Sequence, residues 1–442
     1  MIPELDDRGA GSIRIPPGLS LPLTSRVRAL IDSRPMRRLA RVSQLGLVAL
    51  VYPGAVHGRL EHSLGVYRLA IAFLERLRDD PRFKTIDSEA ASAFLAAALL
   101  HDVGHWAYCH PIEDMHLAQL PRHESLVRGI LLEDELAEIL REAWGLDPGR
   151  VASLIDGVDL AAEDRLLASL LSGPVDVDKM DYLARDSLHA GVPYGRHFDE
   201  QRLLASLCVD ADGERLAITE KGVTAAELLV FARYVMFSEV YWHHTVRAAT
   251  AMLQRAVWLL QDAIDPESFV RLDDAGFTAW ILEASAGGPA ERLVSGIFGP
   301  RRMLWKRLAS FDARDGAEVH RRLSGRPYPE SVAIAHRLAG RLGDRIGMPV
   351  EASSVLVDAP PAEREVEFRL DVRIDGRRGC RWRNLEAMSP AVRALAHEQF
   401  DELVKRSRIF VPPEVAARSR DSGCLEDGSL ESMILEATNE SG

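Results

Sequence analysis

Cysteine is scarce and scattered in this chain. Cys109, Cys208, Cys380 and Cys424 show no CxxC spacing. A disulfide framework and a structural zinc site are therefore both disfavoured, and a reducing, cytoplasmic setting fits. Long apolar runs are absent too. The longest, Phe94 to Leu100, falls far short of the roughly 20 residues that cross a bilayer. The first eleven residues are polar and carry three acids, which is not the pattern of a signal peptide. Excess positive charge is lacking: the net charge is −12, which disfavours a surface built to grip nucleic acid and leaves only a local basic cleft for such binding. Lysine is rare, 5 residues against 49 arginines. An arginine cluster thus carries little weight here, whereas each lysine, Lys179 above all, carries more.

What is present is a chain with apolar residues enough for a large core, 47% of 442 residues. The order of patterns predicts a mainly α protein in four parts: an irregular segment over 1–24, a helical catalytic domain over 25–340, a smaller C-terminal α+β lobe over 341–412, and a loose acidic tail over 413–442. Helices are expected over 25–45, after Gly65, over 88–102, over 124–144, over 160–171 and over 224–263. The segment from Glu365 to Ile374 alternates polar and apolar residues, as a half-buried strand does. Asp375-Gly376 follows as a turn, Ser354 to Val357 is a plausible neighbouring strand, and a helix over 390–406 completes the lobe.

The residues that carry chemistry begin with His101-Asp102-Val103-Gly104-His105. They follow eleven uncharged, mostly small or apolar residues, Ala90 to Leu100, that read as a buried helix. A carboxylate buried there without a partner costs several kcal/mol, and a metal ion is the usual answer. His62, His101, Asp102 and Asp178 lie on separate helices or helix ends, which a bundle can bring together. Two imidazoles and two carboxylates suit Fe, Mn, Ni or Co, with Mg as a companion of a phosphate substrate. Four protein ligands leave positions for water and substrate, the layout of a hydrolytic site. Arg59, His105, His110, His123 and Lys179 crowd these ligands in sequence. One metal among so many cationic or proton-bearing groups describes a polyphosphate substrate. Taken singly each has an ordinary structural explanation; together they are better explained by a site.

At these residues the chain resembles the HD-domain phosphohydrolases, and more narrowly the deoxynucleoside triphosphate triphosphohydrolases related to the sterile-alpha-motif-and-HD-domain protein. The resemblance runs through Gln44-Leu45-Gly46, Tyr52-Pro53-Gly54-Ala55, Arg59 to Val66, His101 to His105 and Asp176 to Asp186. It implies an HD-type helical bundle with His62, His101, Asp102 and Asp178 on the metal. It implies Arg59, Lys179 and Arg233 at the phosphates, and His105, His110 and His123 as the catalytic group, with His110 near the α-phosphorus. Gln44, Leu45, Tyr182 and Asp186 would line the sugar, and Tyr241 would stack beneath it and exclude a 2′-hydroxyl. The implied activity releases deoxynucleoside and inorganic triphosphate from a dNTP, in a homo-oligomer, dimer or tetramer. The rival readings are another phosphohydrolase on the same scaffold, a nucleotidase or phosphodiesterase, and a regulator that binds nucleotide or single-stranded nucleic acid.

Overall fold

The computed structural model describes residues 2–5, 11–83, 86–361, 369–377, 379–395, 404–425 and 428–439. It is a mainly α-helical bundle with a smaller C-terminal lobe of mixed α and β structure, as the sequence patterns imply. The chain divides into two units. The first comprises Met1–Ala107, Pro121–Met236 and Glu367–Leu395; the second comprises Tyr108–Leu120, Phe237–Val366 and Ala396–Gly442. No helix among the described residues is long and apolar enough to cross a membrane.

In the first unit the bundle is organised around the Ser88–Leu100 helix. Asp87 caps it by accepting a hydrogen bond from the Ala90 amide at 2.8 Å, which satisfies one of the donors a helix start leaves open. Every residue from Ala90 to Leu100 is buried. The abundance of alanine there lets neighbouring helices come close, and the Arg59–Leu77 helix packs against it. The Val177–Ala190 helix packs in turn against Arg59–Leu77. Its cap is Asp176, which accepts from the Lys179 amide at 2.6 Å. Gly191, in the left-handed region at φ 70°, ends it.

The first 24 residues are more regular than their proline and glycine content suggests. Gly11–Ile15 pairs antiparallel with Leu19–Leu23, and Pro16, Pro17 and Gly18 form the turn between them. Glu4 is buried and holds Arg26, whose guanidinium lies 4.1 Å from the ring centre of Trp144.

The second unit carries a three-stranded sheet in which Ser407–Val411 lies between Lys306–Phe311 and Leu356–Asp358, antiparallel to both. The Tyr328–Ile346 helix adds Leu338 and Leu342 to a core shared with Ile409 and Val411. The segment beginning at 413, expected to be loose, contains the helices Pro413–Asp421 and Ser429–Asn439. Its acidic composition hides an apolar stripe: Leu430, Ile434 and Ala437 are buried in that same core.

The expected pairing of the alternating strand is corrected. Part of that segment, 365–368, lies outside the described residues, as do 396–403 of the expected 390–406 helix. Asp371–Gly376 and Gly379–Asn384 do form the hairpin that Asp375-Gly376 signals. Its other neighbour, however, is not the 354–357 segment. Asp371–Gly376 runs parallel to Leu216–Thr219 in a four-stranded sheet of the first unit, while Leu356–Asp358 pairs with Ser407–Val411. Period-two alternation shows that a strand has one buried face and says nothing about which strand lies beside it.

Candidate metal centre

Three helices of the first unit deliver the four proposed ligands. His62 lies in the first turn of Arg59–Leu77, His101 caps the end of Ser88–Leu100, Asp102 follows it, and Asp178 lies in the first turn of Val177–Ala190. The ligand atoms of His62, His101 and Asp102 all fall within 4.8 Å of one another. The two imidazole Nε2 atoms are 3.2 Å apart. Nε2 of His62 is 2.9 Å from Oδ1 of Asp178, and Nε2 of His101 is 3.4 Å from Oδ1 of Asp102 and 3.7 Å from Oδ1 of Asp178. Ligands about 2.1 Å from a common ion stand about 3 Å from their neighbours, and these separations match that spacing.

The far nitrogens explain why a cation belongs there. Nδ1 of His62 is 2.9 Å from Oδ2 of Asp181, and Nδ1 of His101 is 2.9 Å from the carbonyl oxygen of Ala98. A carboxylate and a carbonyl only accept, so each Nδ1 carries the proton. With Nδ1 so occupied, the Nε2 atoms are left for a cation, and both of them and two carboxylates converge on one point. Such a set of donors repels itself unless a positive charge joins it. The donor set fits a divalent metal, with Asp181 and the Ala98 carbonyl orienting the rings.

The electrostatics show the same demand for positive charge. Burial alone would push His62 toward its neutral form, but the hydrogen bonds to Asp178 and Asp181 override it and raise its pKa to about 10, so that a proton meets the demand until a metal ion displaces it. Burial alone would also raise the Asp102 carboxyl, yet His105, His101, Arg59 and His62 hold it well below the usual range. Asp178 and Asp181 are likewise held low against their burial, the first by His62 and the second by His62 and Arg185.

Around this cluster Arg59 donates from Nη1 to Oδ2 of Asp102 at 2.9 Å. His105 lies 3.1 Å from Oδ1 of Asp102 through Nδ1, and its ring stands 3.8 Å from that of the buried His123. Gly104 makes this approach possible. A Cβ there would lie 2.2 Å from the carbonyl oxygen of His123, so the glycine serves close packing and not a left-handed helix end. Lys179 extends to Oδ2 of Asp176 at 2.7 Å. Tyr182 is half-buried, and burial pushes its hydroxyl up to about 12, with Arg233 and Lys179 opposing. Asp186 is buried and meets Nε2 of His57 at 2.9 Å. Gln44 precedes Leu45 and the short Gly46–Leu50 turn, and its Oε1 is buried without a hydrogen-bond partner among the described residues. Arg233 lies in the last turn of Val223–Met236.

His110 and Tyr241 belong to the second unit. His110 is an exposed residue of the short Cys109–Glu113 helix. Tyr241 ends a π-helical turn, Phe237–Tyr241, and stands edge-on to Phe237 with ring centres 5.1 Å apart. Such turns recur at functional positions.

Several residues of the centre escape a reading of motifs. Asp181 is the most consequential, because Asp178 and Asp181 bracket the His62 ring at its two nitrogens. Their i, i+3 spacing on one helix was a usable signal. Arg185 clamps Asp181 through Nε and Nη2, both at 2.8 Å, and reaches Glu61 at 2.6 Å. His57, stacked on His189 with ring centres 4.2 Å apart, has no sequence signature beyond its neighbourhood.

The HD domain profile matches residues 59–186, and the profile of the HD associated region matches residues 198–422. Protein YwfO of Bacillus subtilis is 38% identical over 51% of this chain and 50% of its own length. The deoxynucleoside triphosphate triphosphohydrolase SAMHD1 homolog of Dictyostelium discoideum is 28% identical over 55% of this chain and 50% of its own length. The chain spans about half the length of the curated relatives it matches. Among solved structures, a protein from Aquifex aeolicus superposes with a TM-score of 0.71 at 26% identity, covering 93% of this chain and 99% of that one.

Proposed function

The chain belongs to the HD-domain hydrolases that carry the HD associated region, and on that premise we propose that it is a metal-dependent dNTP triphosphohydrolase. The convergence of the His62 and His101 Nε2 atoms with Asp102 and Asp178 carries the reading, since a donor set of this kind holds the ion of a phosphohydrolase. The name borne by the Dictyostelium relative supports the finer substrate class.

A divalent ion held there supplies Lewis acidity toward a phosphoryl oxygen and activates water. The chain's own groups do the rest. Arg59 and Lys179 bring positive charge to the phosphates, with Arg233 beyond them. His105, His123 and His110 are the proton-transfer groups near the α-phosphorus. Gln44, Leu45, Tyr182 and Asp186 position the sugar, and Tyr241 closes its 2′ face. The working form is a homo-oligomer.

A second reading, hydrolysis of a nucleotide mono- or diester, draws on one observation. Arg59 is paired with Asp102 and Lys179 with Asp176, which reduces the positive charge open to three phosphates. One assay separates the two: protein loaded with Mn or Fe, each dNTP supplied singly, and the products resolved by chromatography. Deoxynucleoside with inorganic triphosphate supports the first reading. Orthophosphate or pyrophosphate, or cleavage of esters only, supports the second.

A further inference from the structure

We infer that the first unit carries a second small-molecule site, a cavity that takes a compact anion with an apolar body and tightens the metal centre through Asp181. The cavity has a volume of about 230 Å³. Pro16 and Pro17 of the N-terminal hairpin turn, Leu188 of the Val177–Ala190 helix and Phe198 form apolar wall. None of His62, His101, Asp102 or Asp178 lines it, whereas Asp181, which holds the far nitrogen of His62, does, so the cavity borders the metal centre without containing a proposed ligand.

Its charged groups define the occupant. Arg68, Arg185 and Arg196 face Asp181 and Glu200. Both carboxylates are already engaged. Asp181 accepts from His62 and from Arg185, and Glu200 accepts from Nη2 of Arg68 at 3.1 Å. Arg185 is neutralised further by Glu61. The surplus is at Arg196, which is exposed and has no ion-pair partner among the described residues. One anionic group beside an apolar wall satisfies that surplus. The volume lies below the roughly 300–1,000 Å³ of sites for drug-sized ligands, so the body is a single ring or a short chain.

Asp181 is the link to the metal. Its Oδ2 receives both His62 Nδ1 at 2.9 Å and Arg185 Nε at 2.8 Å. An anion held at Arg196 adds negative charge to the cavity that Arg185 and Asp181 line, which makes the Asp181 carboxylate the stronger acceptor. The carboxylate then binds the His62 proton more strongly, and Nε2 becomes the better donor. An occupied cavity therefore raises metal affinity, and by linkage the metal raises affinity for the occupant. The inference rests on the metal-binding part of the proposed function and not on the dNTP substrate.

Phenylphosphonate is the probe, since it joins a ring to an anion and carries no hydrolysable ester. Titration calorimetry on the full metal-free chain compares it with inorganic phosphate and with benzyl alcohol. Phenylphosphonate binds the wild type, and binds Arg196→Gln and Leu188→Trp at least about tenfold more weakly, as do the two half-probes the wild type. Arg196→Gln alters an exposed residue and decides the matter should Leu188→Trp fail to fold. Mn(II) affinity, titrated with and without saturating phenylphosphonate, rises about fivefold in the wild type and is unmoved by it in Arg196→Gln. Absent binding, or equal binding by wild type and Arg196→Gln, overturns the site. A Mn(II) shift that persists in Arg196→Gln places the phosphonate at the metal centre and overturns the coupling. Neither result bears on which nucleotide is hydrolysed.

Discussion

Gly65 and Asp181 approach so closely that a Cβ on the glycine would lie 1.9 Å from Oδ1 of the carboxylate. Only an absent side chain lets the Arg59–Leu77 and Val177–Ala190 helices meet at the depth where Asp181 reaches His62. Gly65→Ala is predicted to cost about 1–3 kcal/mol in stability and to weaken Mn(II) binding by about tenfold or more, as loss of a ligand's orienting partner does. Thermal unfolding and metal titration measure the two effects. An unchanged Mn(II) affinity would show that Asp181 does not orient His62.

His101 and Asp102 supply half of the proposed donors. The double replacement by Ala should remove bound metal and all hydrolysis while leaving the helical circular dichroism near wild type. Full metal content by elemental analysis in the double variant would refute the assignment.

Lys179 pairs with the buried Asp176, and its role as a phosphate contact is separable from that pairing. Lys179→Ala is expected to lower kcat/KM for a dNTP by about 100-fold, the scale of a lost transition-state donor, with metal content retained. A kcat/KM equal to wild type, in protein that still binds metal, would leave Lys179 as a capping partner of Asp176 alone.

Tyr241 ends the π-helical turn at Phe237–Tyr241. If it closes the 2′ face of the sugar, Tyr241→Ala raises kcat/KM for an rNTP relative to the matched dNTP, because exclusion by bulk is what the truncation removes. A packing role alone would lower stability and leave the ratio where it was. Equal cleavage of both sugars by the wild type would remove the dNTP assignment and favour the broader phosphohydrolase.

Glu4 offers a pH test away from the metal. Burial would raise its carboxyl, but the hydrogen bonds from Arg26 and Thr24 prevail and set it below its ordinary value of 4.5. A carboxyl lowered by folding stabilises the protein above its unfolded pKa, and that contribution is lost as pH falls through the folded value. The midpoint of thermal unfolding should therefore fall more steeply below pH 4.5 in the wild type than in Glu4→Gln. Parallel curves for the two proteins would show that the Glu4–Arg26 pair contributes no acid-sensitive stability.

The legible parts of this protein were those in which neighbouring residues carry the physics. Ala90 to Leu100 reads as a buried helix, because apart from Ser92 nothing in it favours water over core. A His-Asp pair at the end of such a helix points to a cation once His62, Asp178 and the basic residues around them are read with it. The period change after residue 340 announced strands, and Asp375-Gly376 announced their turn. The apolar spacing in 429–439 lies among acids that mask it, with Leu430, Ile434 and Ala437 recurring at helical intervals.

The sequence by itself determined the class of bundle and the presence of a metal-type His and Asp donor set, and it nominated His62, His101, Asp102 and Asp178 as the members of that set. Only the tertiary structure decided which partners those members take. That Asp181 and Asp178 hold opposite nitrogens of His62, that His57 meets Asp186, and that the 371–384 hairpin joins the Leu216–Thr219 strand all depend on how closely helices and strands approach across long stretches of chain. Local pattern reports a buried face. The partner on that face is set by packing at a few tenths of an ångström, and at Gly65 by a side chain that is missing.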